Sequence, residues 1–262
     1  MAVLALRGEP IGQLEAVLFD KDGTLSHSEP LLTRLARTRI DLCEARVAPE
    51  RRLELRELLE RAYGLTGDRL HPAGTTAVAS RSHNLISTAT VFCLVGLGWP
   101  EALRHSEEVF FCTDAAPGED QAAAVALPTQ GLERLLAELD TAGVVIGVIS
   151  NDQPTGIERF LRAHQLQHHI RGIWSADHKP AKPDPGAVHG FCRQLGVEPA
   201  ACALIGDADS DLSMAEAAGV AVALGYLSGW LTPPALDARY PRIHHWSELT
   251  VLEAPGTNGS AT

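Results

Sequence analysis

Val17-Leu18-Phe19-Asp20-Lys21-Asp22-Gly23-Thr24-Leu25 joins an apolar run to an abrupt polar turn, the pattern of a buried strand that ends at a loop. The pattern recurs down the chain. Residues 144–149 are apolar and stop at Ser150-Asn151-Asp152, residues 202–205 stop at Gly206-Asp207, and residues 220–224 form a fourth run after Gly219. Helical spacing of apolar residues fills the gaps, over 130–142, 155–164, 185–195 and 209–218. Strands alternating with helices predict an α/β fold, with a parallel sheet covered on both faces. Ligands of such sheets bind outside the carboxyl ends of the strands, where the polar clusters just named fall.

Residues 26–126 break the alternation and read as consecutive helices over 31–46, 49–63, 77–85 and 100–111. Gly64, Gly67, Pro72 and Gly74 mark a break inside this insert, and residues 115–118 with Pro128 mark candidate hinges on the return. The expected division is a core of residues 1–25 plus 127–252, a helical cap of 26–126, and a disordered tail over 253–262.

With 262 residues, 45% of them hydrophobic and 21% charged, the composition is that of an ordinary globular protein with a sizeable core. The formal net charge of −11 repels nucleic acid and anionic membrane, and no apolar run approaches the ~20 residues of a membrane span. A small phosphate ester is repelled too, unless cations reverse the field within a site. Five scattered cysteines form no CxxC pair, so neither a zinc knuckle nor a disulfide framework is expected, and a cytoplasmic setting fits. The N-terminal segment lacks the basic start, long apolar run and cleavage site of a signal peptide. Nothing in the pattern bears on oligomeric state.

Asp20 and Asp22 are spaced so that both carboxylates leave an extended backbone on one face. Two carboxylates in one site can divide nucleophilic attack and proton transfer, because the tasks need opposite protonation states. Gly23 allows a sharp turn and Thr24 brings a hydroxyl. Taken alone, an Asp-x-Asp-Gly is as readily a plain turn or a helix cap. Asp207 and Asp211 lie one helical turn apart and can serve one cation, although a helix N-terminus decorated with acids has the same spacing. Of 22 basic residues 19 are arginine; the three lysines, Lys21, Lys179 and Lys182, all fall in or beside the polar clusters. A compact ammonium is placed where a guanidinium fork would not suit.

In order along the chain, residues 19–25, Ser150, Lys182-Pro183-Asp184-Pro185 and residues 206–211 resemble the four motifs of the haloacid dehalogenase-like superfamily. The resemblance spans nearly the whole core, and the insert matches in position alone, as a cap between the first two motifs. It implies a Rossmann-like parallel sheet core with an inserted all-helical cap, and a magnesium-dependent phosphatase acting on a small-molecule phosphate monoester. On that reading Asp20 attacks phosphorus to form an aspartyl-phosphate, and Asp22 protonates the leaving oxygen and then activates water. Lys182 offsets charge; Lys179-Pro180 competes for its place but lacks the second proline. Thr24, Ser150, Asn151 and Lys182 would hold phosphate oxygens. Asp20, Asp22 through its backbone carbonyl, and Asp207 would hold Mg²⁺, with Asp211 beside them.

The cap position is similar to that in phosphoglycolate phosphatases, which makes phosphoglycolate the leading substrate, with sugar phosphates and nucleoside monophosphates open beside it. Arg69, His71, Arg81 and His83, around the Gly/Pro-rich break, are the cap candidates to meet substrate, although most residues of these types are simply solvated. Asp152, Asp177 and Gln167-His168-His169 are expected at the surface, and Lys21, the middle residue of Asp-x-Asp, is expected to point away from the carboxylates. The sequence departs from the family pattern at Lys21, where many members carry an apolar residue, and at His27, where members reading Asp-Ser-Glu-Pro carry aspartate. Asp22 argues against a dehalogenase, and the lack of any lysine in the insert against a phosphonate hydrolase. A phosphomutase or a silent binding protein of the same fold stays open.

Overall fold

The computed structural model describes residues 2–115 and 125–253. Its centre is a six-stranded parallel sheet in the order Arg242–Ile243, Val222–Tyr226, Cys202–Gly206, Ala16–Phe19, Val145–Ile149, Gly172–Trp174. The strand leading to Asp20 therefore lies between those leading to Asp207 and Ser150, which brings all three carboxyl ends together.

Alternation along Ala16–Phe19 explains how one short strand serves two cores. Val17 and Phe19 pack with Leu135, Leu136, Ile157 and Phe160 of helices Leu132–Thr141 and Pro154–Ala163. Ala16 and Leu18 pack on the other face with Val188, Phe191 and Met214 of helices Pro185–Leu195 and Asp209–Ala217. All four strand residues are buried, as a sheet covered on both faces requires.

Helices Glu29–Glu44, Arg52–Tyr63, Arg81–Leu94 and Trp99–Ala115 gather around an apolar cluster that includes Ile40, Leu55, Leu59, Tyr63, Phe92 and Phe110. The chain leaves for these helices and returns along two short antiparallel strands, Ser26–His27 and Leu127–Pro128. The helix expected over 77–85 is two elements, Thr75–Val78 and Arg81–Leu94. The divide falls at Ser80, whose hydroxyl caps the second helix by accepting from the His83 amide.

A three-stranded antiparallel sheet was not expected. Ala2–Leu6 pairs with Glu9–Leu14 on one side and Leu249–Glu253 on the other. Arg7 and Gly8, at φ 52° and 87°, make the tight hairpin turn. Glu253, placed in the expected tail, belongs to a strand; the remainder of that tail and most of the hinge expected over 115–118 lie outside the described residues. No helix among the described residues is long and apolar enough to cross a membrane.

Candidate active site

Asp20 sits at the end of its strand with its amide bonded to the Ile205 carbonyl, and its side chain is buried. Lys182 reaches it from the loop before helix Pro185–Leu195: Nζ lies 2.7 Å from Asp20 Oδ1, 2.6 Å from Asp211 Oδ1 and 3.3 Å from the Ile149 carbonyl. Lys179, by contrast, is exposed and its ammonium meets only the Ala176 carbonyl at 3.3 Å. Of the two candidate lysines, the fold brings Lys182 to the carboxylates.

Asp20, Asp207 and Asp211 each offer a carboxylate oxygen within 4.8 Å of the others, and all three are buried. Three carboxylates against the one Lys182 ammonium leave a formal charge of −2, which a divalent cation would neutralise. The donors are hard oxygens, the set that magnesium takes. Burial and the neighbouring charges act on the acids themselves. Burial, against the pull of Lys182, raises the Asp20 carboxyl to about 6. Burial, followed by the neighbouring Asp20 and Asp211, pushes Asp207 well above the usual carboxylate range. Burial alone would lower Lys182, but Asp20 and Asp211 outweigh it and keep the ammonium charged.

Asp207 is held by two donors. The Thr24 hydroxyl gives to Oδ1 at 3.1 Å and the Trp230 indole N–H to Oδ2 at 2.6 Å. Thr24, expected to meet phosphate, is fully buried and spends its hydroxyl on this carboxylate instead. Trp230 escaped the sequence reading. Its loop presses on the turn so closely that a Cβ at Gly23, where φ is 82°, would overlap the indole nitrogen. Gly23 thus serves the turn and the close approach together.

Asp22 lies on the cavity wall beside Asp20. Its Oδ1 accepts from the Ser28 hydroxyl and, at 2.6 Å, from the Lys21 ammonium, which also meets Asp152 Oδ2 at 3.0 Å. Lys21 therefore does not turn away from the carboxylates. Its backbone position follows the alternation, but four methylenes let the ammonium fold back, where two acids keep it charged despite its burial. Asp152, expected at the surface, is half-buried in this pair.

Ser150 is buried with its hydroxyl accepting from the Asp152 amide at 3.1 Å. Asn151 donates to the Val78 carbonyl at 3.0 Å, tying the sheet to the helical insert, while its Oδ1 is buried without a partner. Both line a cavity of about 1080 Å³ between the strand ends and the insert. Arg81 and His83 line it as well; Arg69 and His71 do not. Arg69 instead bonds Glu29 and Thr232.

A family model described as a haloacid dehalogenase-like hydrolase matches residues 14–219. The chain is 28% identical over 214 residues to the phosphoglycolate phosphatase of Rhodospirillum rubrum, covering 79% of this chain and 78% of that one. It is 26% identical over 219 residues to the N-acetylmuramic acid 6-phosphate phosphatase of Pseudomonas putida, covering 82% and 85%. A crystal structure described as a predicted phosphoglycolate phosphatase from Haemophilus somnus shares the fold at a TM-score of 0.59 and 18% identity, covering 85% of this chain and 90% of that one.

Proposed function

The chain belongs to the haloacid dehalogenase-like hydrolases, and from that membership we propose that it is a magnesium-dependent phosphatase of small-molecule phosphate monoesters, working through an aspartyl-phosphate. One observation carries the reading: Asp20, with Lys182 at 2.7 Å, stands inside a buried carboxylate cluster on the wall of a cavity that also holds Asp22. Phosphatases among its relatives support the same chemistry. Phosphoglycolate is the first ester to test.

In this reading Asp20 attacks phosphorus in line, forming the oxygen–phosphorus bond of an acyl phosphate as the bond to the leaving oxygen breaks. Asp22 gives that oxygen its proton and then takes one from the water that attacks the acyl phosphate, which returns both carboxylates to their starting states. Lys182 stays against Asp20 and offsets charge as the phosphoryl group approaches. Ser150 and Asn151 bind phosphate oxygens at the cavity wall. Asp20, Asp207 and Asp211, with the Asp22 backbone carbonyl, would hold Mg²⁺, which when bound neutralises the phosphoryl oxygens. We assign the helices between the strands Ser26–His27 and Leu127–Pro128 as a cap over the site, excluding water. Five cysteines, none in a disulfide, support a reducing compartment such as the cytoplasm.

Hydrolysis of an aryl phosphate, followed with Mg²⁺, with EDTA and in Asp20→Asn, tests the reading. Turnover should require the metal and fall by at least about 10³-fold in the variant. A metal-independent activity, or one that survives the substitution, overturns it, and no turnover on any ester turns attention to a mutase.

A further inference from the structure

We infer that the insert side of this cavity is a subsite for a carboxylate carried by the substrate, and that Arg39 is the residue that selects it. The inference rests on the phosphatase reading and narrows it to phosphate monoesters with a second, acidic end.

Arg39 lies on helix Glu29–Glu44, lines the cavity, and is only 5% exposed. Its guanidinium lies 3.8 Å above the Phe110 ring, and its Nε reaches the Thr113 hydroxyl at 3.4 Å. Among the described residues it forms no ion pair. Arg81 lies 5.4 Å from the same ring and is paired with Asp114, its Nη2 2.5 Å from Oδ2. Two guanidiniums thus share a single carboxylate. Arg39 lines the cavity as a buried guanidinium without a carboxylate of its own.

A buried charge without an ion-pair partner is unfavourable, and burial weakens the charged form of Arg39 as expected. The arrangement makes sense as a receptor. Stacking on Phe110 holds the guanidinium plane and leaves its N–H fork for a planar, singly charged acceptor, which describes a carboxylate. A second phosphate would bring more negative charge than the site offsets, with Asp114 alongside.

Asn84 belongs to the same wall. It lines the same cavity, is 4% exposed, and its Oδ1 is buried with no donor. Its Nδ2 donates to the Thr75, Ala79 and Ser80 carbonyls, which fixes this side of the cavity. A cavity of about 1080 Å³ leaves room for a sugar-sized body between the two anionic ends.

The test uses two ester pairs that differ by a carboxylate: phosphoglycolate against 2-hydroxyethyl phosphate, and N-acetylmuramic acid 6-phosphate against N-acetylglucosamine 6-phosphate. In the wild type, kcat/KM should favour the acidic member of at least one pair by on the order of tenfold or more, through KM. Arg39→Gln should bring that ratio to about one, and Arg39→Lys, which keeps the charge and loses the fork, should leave it in between. The same pairs titrated calorimetrically into Asp20→Asn separate the two readings. Binding that prefers the acid and depends on Arg39, without hydrolysis in the wild type, keeps the subsite and removes the phosphatase. A wild-type ratio near one for both pairs, or a ratio that Arg39→Gln does not change, overturns the subsite. If Arg39→Gln does not fold, Arg39→Lys decides alone: a several-fold drop in the ratio supports the subsite and an unchanged ratio overturns it.

Discussion

Trp230 holds Asp207 from outside the strand that presents it: the indole N–H reaches Oδ2 at 2.6 Å, while the ring packs in the apolar cluster of the helical insert. A carboxylate of the candidate cation site is thus oriented by a residue anchored in the neighbouring layer of helices. The same loop is stitched to the insert at the Leu231 amide, which donates to Glu29 Oε2 at 2.7 Å.

Trp230→Phe keeps the ring and removes the donor. Mg²⁺ affinity should fall by about tenfold, as is typical when a group that orients a metal ligand is lost, with the KM for ester nearly unchanged at saturating metal. Calorimetric Mg²⁺ titration reads this directly. Wild-type affinity in the variant would show that Thr24 alone orients Asp207.

Lys182→Met should cost on the order of 10²-fold or more in kcat, since the one ammonium at Asp20 and Asp211 is gone. Lys179→Met should stay within about twofold of wild type, because that side chain is exposed and its ammonium meets only a backbone carbonyl among the described residues. Equal losses in the two variants would show that the lysine assignment is wrong.

Lys21 joins Asp22 to Asp152 across the cavity wall. Lys21→Met leaves the Asp22 carboxylate to the Ser28 hydroxyl, and kcat should drop by on the order of tenfold as the proposed proton donor loses part of its orientation, with KM moving less. Asp152→Asn should reproduce part of that drop. Steady-state kinetics of both variants that match the wild type would reduce the triad to a packing detail.

Metal-free protein should lose stability as pH rises toward neutrality. The Asp20 carboxyl is raised by burial from 3.8 to about 6, and Asp207 is raised as well. Between those values the folded chain binds protons that the unfolded chain has released. Their contribution to stability is therefore fully present below pH 3.8 and is lost as pH passes through about 6. Thermal melts in EDTA should show this slope, Mg²⁺ should flatten it, and Asp20→Asn should lessen it. Parallel curves with and without metal would contradict the charge balance drawn for the site.

The central strands were legible because each is a dense apolar run broken by a polar turn, and burial on both faces leaves no other arrangement for such runs. Asp20, Asp207, Asp211 and Lys182 were legible as sequence clusters, and the structure brings them together. Trp230 was not, because it lies in a loop without periodicity and meets Asp207 only after the sheet has formed. The direction of Lys21 was missed because backbone alternation fixes where a Cβ points and not where a long, flexible side chain ends. Thr24 kept its place but not its expected partner, since a fully buried hydroxyl bonds the nearest carboxylate. The hairpin at Arg7-Gly8 lacks the Asn-Gly signal that marks most turns of its kind.

That hairpin bears on how the protein is made. Ala2–Leu6 can pair with Glu9–Leu14 as soon as both emerge from the ribosome, for two residues separate them. Its other neighbour, Leu249–Glu253, is translated after every other strand of the described residues. At ~5–20 residues per second the wait is on the order of ten seconds or more. Throughout it the nascent chain carries an open strand edge that another nascent chain on the same message could join. Arrival of Leu249–Glu253 covers that edge of Ala2–Leu6, so fast elongation through the second half of the message should lower the yield of products joined through it.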